Sequence, residues 1–452
     1  MEFSTEVVEK MAEILVNEME KSEQKQGGIR EVETGMRELL RRVGGEALGR
    51  YLERTEQAEP QEKTKPCGCG GKQIYQFRRK AVIWSVFGRV RYKRRYYTCA
   101  SCKTGLAPLD KRVGIAAGQV TAGLAELLAL AGVEVAFEEG CRMVERFLLF
   151  RVSDNSLRQE TERFGELQQQ QEDEWKQQSQ TEAWLQERLQ KIGQQPGRLY
   201  GSIDGVMAPC KGEWRELKNI AWYRVETVRS HQKRRHHACQ VGEQNDLQAQ
   251  EITYHCAIQP PEQFGDLVWA TACQRKADLY KELVFVCDGA VWIWKLIERH
   301  FPDAVQIVDW YHASEYLPPI AEAVFGKDTP EYHAWLDQAR TQLWEGQIEA
   351  LIHDCQLFVS IPAAATAVHA AVSYFTNNQK RMDYARFRRL GYFIGSGTVE
   401  SAGKQIAGLR LKRAGARWTE PGAVMTAKAR AAWLSGSWDS IATRRATLPL
   451  AA

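Results

Sequence analysis

"LVFVCDGAVWIWKLIERHFP", Leu283 to Pro302, decides the fold. An apolar run, Leu283 to Cys287, ends at Asp288-Gly289 and feeds a stretch whose apolar residues recur at a helical period. A short continuous apolar run leading into a helix is the pattern of a strand buried on both faces, as in a parallel sheet. The following segment, "AVQIVDWYHASEYLPPIAEAV" (304–324), repeats the scheme with Asp309 at the strand end. Upstream, "RLYGSIDGVMAP" (198–209), "LKNIAWYRVE" (217–226) and "ITYHCAI" (252–258) read as three strands, the first ending at Asp204-Gly205, and 261–280 reads as a helix.

Three consecutive strands, a helix, then strand–helix units is the element order of an RNase H-like core. One Asp-Gly pair is an ordinary turn. Two at strand ends, Asp204 and Asp288, joined by Glu400 in "GSGTVES" (395–401), place three carboxylates at one sheet edge. Gly395 and Gly397 let the chain turn before the helix-like run that follows. Carboxylates so gathered repel one another unless a divalent cation, Mg²⁺ or Mn²⁺, sits between them. Lys404 lies one helical turn beyond Glu400, and Arg410, Lys412, Arg413 and Arg417 follow. These cations suit phosphate contact, or else they solvate a helix face. Asp309 and His312 in "DWYH" form a further pair, either with a ligand, ligand-supporting or DNA-contact role or as a buried Asp–His hydrogen bond. His236 and His237 sit in a basic loop, and Trp214 and Trp418 are either stacking platforms or core.

Ahead of this core, Cys67-x-Cys69 and Cys99-x-x-Cys102 flank an alternating stretch that reads as a β-hairpin, the layout of a zinc ribbon. The first pair is one residue tighter than standard spacing, so zinc ligation and free thiols both stand as readings. Arg78, Arg79, Lys80, Arg91, Lys93, Arg94 and Arg95, interleaved with Tyr92, Tyr96 and Tyr97, suit DNA phosphates. Residues 72–112 hold twelve Lys/Arg against one acid, and 401–452 hold nine against two, on a chain of net charge only +4. A near-neutral chain with two basic regions is expected to meet a polyanion at separate places. The eleven cysteines, several of them alone in apolar runs such as Cys141 and Cys287, fit reduced thiols rather than a disulfide framework. No secretory leader opens the chain, and the apolar stretch 120–137 carries Glu126 and Glu134, as a core helix does and a membrane span does not.

The expected organisation is multidomain α/β. An N-terminal helical region (1–58) precedes the Cys-rich basic hairpin (66–113), and a helical segment with a possible helix-turn-helix (114–166) comes next, with Ser153 as an N-cap. A Gln/Glu-rich helical connector (167–197), exposed and stopped by Pro196-Gly197, leads into the RNase H-like core (198–325). A helical insertion (326–378) and the last part of the core with a basic C-terminal helix (379–452) complete the 452 residues.

"PLDKRVGI", "SIDGVMAP", "CDGAVWIWKLIERHFP", "DWYHASEYL", "GSGTVESAGKQIAGLRLKRAGARW" and "GAVMTAKARAAW" together resemble bacterial insertion-sequence DDE transposases of the ISKra type, from the Cys hairpin to Trp438. The resemblance implies that Asp204, Asp288 and Glu400 form the catalytic, metal-binding triad of a two-metal phosphoryl transfer. It implies cleavage and strand transfer at the ends of an insertion sequence, with double-stranded terminal-repeat and target DNA as partners. It also implies a homodimer or larger assembly on DNA, and a cytoplasmic, nucleoid-associated setting. A catalytically inactive DNA-binding regulator and a structure-selective nuclease on the same fold are the alternatives.

Overall fold

The computed structural model describes residues 4–21, 28–58, 60–115, 118–189, 195–227, 247–395 and 402–447. The chain forms two compact units, residues 1–161 with 439–452, and residues 162–438. Among the described residues no helix is long and apolar enough to cross a membrane.

In the first unit, helices α1 (Thr5–Lys21) and α2 (Ile29–Gln57) precede a four-stranded antiparallel sheet of β1 (Thr64–Pro66), β2 (Lys72–Ser85), β3 (Gly88–Cys99) and β4 (Gly105–Leu106), in that spatial order. The expected hairpin is β2–β3. Its register runs from Gln73↔Cys99 to Ser85↔Gly88, so Val86-Phe87 forms the turn where the sequence indicated Phe-Gly. Strand alternation turns Ala81, Ile83, Val90 and Tyr92 inward, where Leu52 of α2 and Leu109 of α3 (Pro108–Val113) complete a core. Fully burying an aliphatic side chain such as Ile83 or Leu52 contributes roughly 1.5–3 kcal/mol, which makes this cluster the main anchor of the hairpin. Helices α4 (Ala122–Glu134) and α5 (Phe137–Leu148) follow, and Leu124, Leu128, Val144 and Leu157 form a second cluster.

Helix α6 (Asp154–Ser179) begins as the sequence indicated, with Ser153 Oγ accepting from the Ser156 amide at 3.0 Å. Its Gln/Glu-rich second half differs from the exposed connector that its composition implied. Leu167, Gln168, Glu172 and Ser179 are buried within the second unit, whose boundary therefore falls at Glu162 and not at residue 198. The polar side chains are tolerated there because they are matched. Glu172 accepts from Gln168 Nε2 at 3.0 Å, has His255 Nδ1 at 2.9 Å, and pairs with Lys428.

After α7 (Glu182–Leu189), the second unit holds a five-stranded sheet of β5 (Gln195–Cys210), β6 (Glu213–Thr227), β7 (Leu247–Ala257), β8 (Tyr280–Cys287) and β9 (Val305–Val308). The spatial order is β7-β6-β5-β8-β9. β5, β6 and β7 form an antiparallel meander, while β8 runs parallel to β5 and β9 parallel to β8. Helix α8 (Pro261–Gln274) leads from β7 to β8, and α9 (Val291–His300) carries the chain across from β8 to β9. Trp222, Phe285 and Phe301 pack together, as do Tyr200, Tyr223 and Phe393. The stretch after β9 is helical: α10 (Trp310–Ser314), α11 (Pro318–Phe325), α12 (Pro330–Trp344), α13 (Ile348–Gln356), α14 (Ala365–Asn378) and α15 (Tyr384–Arg389). α12 to α14 account for the expected insertion. The chain closes through a π-helix, Lys404–Gly408, then α16 (Glu420–Leu434) against β7, and α17 (Trp438–Thr447).

Candidate functional site

Asp204 does not end its strand, as its sequence context indicated. β5 runs on to Cys210 because β6 pairs with it along its full outer length, through Cys210↔Glu213. The parallel pairing with β8, however, stops at Gly201↔Phe285, so Asp204 emerges where β8 is running out. β8 finishes at Cys287, whose Sγ accepts from the Ile203 amide at 3.3 Å and whose carbonyl accepts from the Asp309 amide at 2.8 Å. Asp204, Asp288 and Asp309 thus gather around the C-terminal ends of the parallel strands, the usual place for a ligand in such a sheet.

The three acids differ in what holds them. Asp309 is buried, and its carboxylate accepts from the His312 amide at 2.9 Å as the N-cap of α10. That makes it structural, and it caps the very helix that carries His312. His312 is half-exposed and lies 3.6 Å from Glu315 through Nδ1. Asp288 uses Oδ1 to accept from the Ala290 amide at 2.9 Å. Among the described residues neither Asp204 nor Asp288 has an ion pair with lysine or arginine. Burial, followed by the charge of Asp288, pushes the Asp204 carboxyl up to about 6, with the His312 side chain acting in the opposite direction. A buried carboxylate whose proton affinity a neighbouring acid raises, with no lysine or arginine paired to either among the described residues, is a donor that a hard divalent cation satisfies.

Glu400 lies outside the described residues, as do His236 and His237. The chain on either side of Glu400 does reach the cleft. The Ile394 carbonyl accepts from the Trp310 amide at 3.0 Å, next to Asp309. On the other side, a Cβ on Gly403 would stand 3.1 Å from Asp204 Oδ2, so the backbone there runs close to the carboxylate and a larger residue would crowd it.

The basic tract after Gly403 is not the regular helix its composition implied. It is one π-helical turn followed by turns, and Gly415 adopts φ +76°. π-turns concentrate at functional sites. Lys404, Lys412 and Arg417 are exposed, and Arg413 is half-buried with Nε donating to the Leu409 carbonyl at 3.1 Å. Arg410 is a correction: it is buried, with its guanidinium over the Trp418 ring at 4.9 Å. Being buried, it cannot reach a DNA phosphate, and burial with the nearby Arg413 and Arg430 charges pushes its pKa down to about 9. Trp418 is likewise core, donating from Nε1 to the Leu411 carbonyl at 3.0 Å, whereas Trp214 is exposed. The basic side chains of α16 also turn inward: Lys428 pairs with Glu172, and Arg430 Nε donates to the Gln405 carbonyl.

The second candidate site is in the first unit. Sγ atoms of Cys67, Cys69, Cys99 and Cys102 all lie within 4.8 Å of one another. Cys67 to Cys102 is 3.5 Å and Cys69 to Cys99 is 3.6 Å, against about 3.8 Å for the edge of a tetrahedron with 2.3 Å Zn–S arms. Two tight turns, with Gly70 at φ +82° and Lys103 at φ +60°, fold the backbone around the sulfurs. Thr104, through its hydroxyl and amide, lowers the Cys102 thiol to about 6. The cluster could hold a structural zinc ion, and the tight Cys67-x-Cys69 spacing is no obstacle.

The hairpin arginines divide in the same way as the C-terminal tract. Arg94 is buried and paired with Asp110 at 2.6 Å, and Asp110 also accepts from Tyr92 Oη at 2.9 Å, so Arg94 holds the sheet to α3. Arg78 reaches Glu56 at 3.1 Å, and the Arg95 amide donates to the same carboxylate. Arg79 lies over the Tyr96 ring at 5.0 Å on the exposed side. Lys80 and Lys93 stand directly opposite each other and both are exposed, a like-charge pair that costs stability. Sequence reasoning named Lys80 and Lys93 together with these arginines, and strand register adds that the two face each other. It missed the placement of Tyr374 against Gly289, which no local pattern distinguishes from that of a core aromatic.

No family model matches this chain, and no curated protein matches it.

Proposed function

We propose that this chain is a transposase of the DDE type, which cleaves DNA at the ends of an insertion sequence and joins them to target DNA. The observation that carries the reading is the convergence of Asp204, on β5 where its pairing with β8 has ended, and Asp288, just past the end of β8, with Asp288 raising the Asp204 pKa and, among the described residues, no lysine or arginine paired to either. The antiparallel meander followed by parallel strands, in the order β7-β6-β5-β8-β9, supports an RNase H-like core. Asp204, Asp288 and Glu400 are the residues that would hold Mg²⁺ or Mn²⁺, Glu400 standing three residues from the glycine that contacts Asp204. When bound, such ions supply Lewis acidity at the attacking and leaving oxygens of phosphoryl transfer.

The chain's own side chains do the rest. Lys404, Lys412 and Arg417 are exposed and follow closely after Gly403, which suits them to grip phosphates beside the scissile bond. Lys80, Lys93 and Arg79 offer a separate surface for duplex DNA, braced by the four-cysteine cluster. Positioning and electrostatics suffice, and no covalent nucleophile is required. Such chemistry on two DNA ends fits a dimer or larger assembly, working on the nucleoid in a bacterial cytoplasm.

The test uses linear DNA bearing the inverted repeats that flank the coding region, with Mg²⁺. Nicking at the repeat ends and joining to a second duplex are expected, and Asp204→Asn and Asp288→Asn should do neither while binding the repeats as before. Cutting of branched DNA regardless of repeats, without joining, would overturn the reading in favour of a structure-selective nuclease. Repeat binding with no metal-dependent nicking would favour an inactive regulator.

A further inference from the structure

Tyr374 belongs to α14, in the helical insertion, yet it packs on the residue next to Asp288. A Cβ added to Gly289 would fall within its ring and 2.9 Å from its hydroxyl oxygen. The ring stacks on Tyr316 with centroids 4.1 Å apart, and the His312 ring lies 6.2 Å from each of the two. Tyr374 is only 9% exposed, and its buried hydroxyl has no hydrogen-bond partner. A buried, unsatisfied hydroxyl destabilises the fold, and a phenylalanine here would avoid that cost.

Asp288 has the complementary deficit. Its Oδ1 is engaged by the Ala290 amide, while its other oxygen receives no donor among the described residues. Carboxylates that hold metal ions are themselves hydrogen-bonded by groups behind them, which fix their orientation. A phenol is protonated at neutral pH, so Tyr374 is a donor there.

We propose that Tyr374 is a positioning residue for Asp288: when a divalent cation is held, the insertion supplies a hydroxyl that would donate to the free Asp288 oxygen and so fix the carboxylate. The inference rests on the cation-binding reading of the cleft. Gly289 is then glycine so that the Tyr374 ring can lie against the backbone beside Asp288. The inserted helices thereby become part of the site, not an appendage to it.

The test is Mn²⁺ binding to the full-length protein without DNA, followed by calorimetry or by the electron paramagnetic resonance signal of free Mn²⁺. Tyr374→Phe keeps the ring and its stacking and removes one atom. Its affinity is expected to fall by roughly 10-fold or more, the usual effect of losing such a support. Its thermal midpoint should be unchanged or higher, because an unsatisfied polar atom has gone. Asp288→Asn is the companion variant. Loss of Mn²⁺ binding in Asp288→Asn with wild-type affinity in Tyr374→Phe overturns the role of Tyr374 and leaves the cation site standing. Absence of Mn²⁺ binding in the unmodified protein overturns both.

Discussion

Replacing Asp204 by asparagine is expected to make the cation-free protein more stable. Burial and the Asp288 charge push the Asp204 carboxyl up to about 6, whereas an unfolded aspartate titrates near about 3.9. Between those values the folded chain holds a proton that the unfolded chain has lost, so stability falls as pH rises through that window. Below it Asp204 is neutral in both states and contributes no difference. Above it the folded state carries an ionised, crowded carboxylate. The gap is worth about 3 kcal/mol at 1.36 kcal/mol per pH unit. Partial solvent access relaxes part of this, leaving an expected gain of roughly 1–3 kcal/mol for Asp204→Asn at pH 8. Thirteen of the fourteen tryptophans fall in residues 162–438, Trp84 being the exception (14 − 1 = 13), so urea unfolding followed by tryptophan fluorescence reports on the unit that contains the cleft. At low salt without divalent ions, wild type and variant should share a midpoint at pH 4 and separate at pH 8, the variant being the more stable. Mn²⁺ should then raise the wild-type midpoint and not that of the variant. Equal midpoints at pH 8, or a less stable variant, would refute the reasoning, because Asp204 would then be satisfied by its surroundings and the cleft would have no need of a cation.

Glu400→Gln should leave folding and repeat binding intact and abolish cleavage; loss of binding instead would make Glu400 structural. Cys99→Ser should lose one bound zinc per chain by atomic absorption and unfold the hairpin at lower temperature, and unchanged zinc content would contradict the four-sulfur site. Lys412→Ala and Arg417→Ala, both exposed, should each lower the salt dependence of log K for DNA by about 1 while changing stability by less than about 0.5 kcal/mol. Arg410→Ala, which removes a buried cation over Trp418, should do the reverse, costing roughly 1–3 kcal/mol of stability with the salt slope unchanged.

Much of this architecture was legible because it rests on short-range pattern. The apolar run Leu283–Cys287 is a strand buried on both faces, and the alternation through Val90 and Tyr92 is a half-buried hairpin strand. The cysteine pairs also came together as spacing indicated. What failed was whatever depends on distant partners. Composition made the second half of α6 look exposed, yet Glu172 is buried because Lys428, 256 residues along the chain, meets it. Arg94 and Arg410 carry the same charge as Arg79 and Arg417, and only tertiary packing separates the structural cations from the available ones. The extent of β5 depended on β6 continuing to pair beyond Asp204, which no feature of "SIDGVMAP" announces.

Glu172 and Asp204 make the strongest internal argument for a cation in the cleft. Both are carboxylates of the second unit, and burial raises the proton affinity of both. For Glu172 the penalty is overcome: Lys428, His255 and Gln168 surround it and hold its pKa down at about 2. For Asp204 the strongest neighbouring influence is another acid, and the pKa stays up at about 6. The same polypeptide therefore neutralises a buried acid completely where the role is structural. Leaving Asp204 and Asp288 without a lysine or arginine partner among the described residues, at a cost that one asparagine would remove, makes physical sense if the missing positive charge arrives from solution.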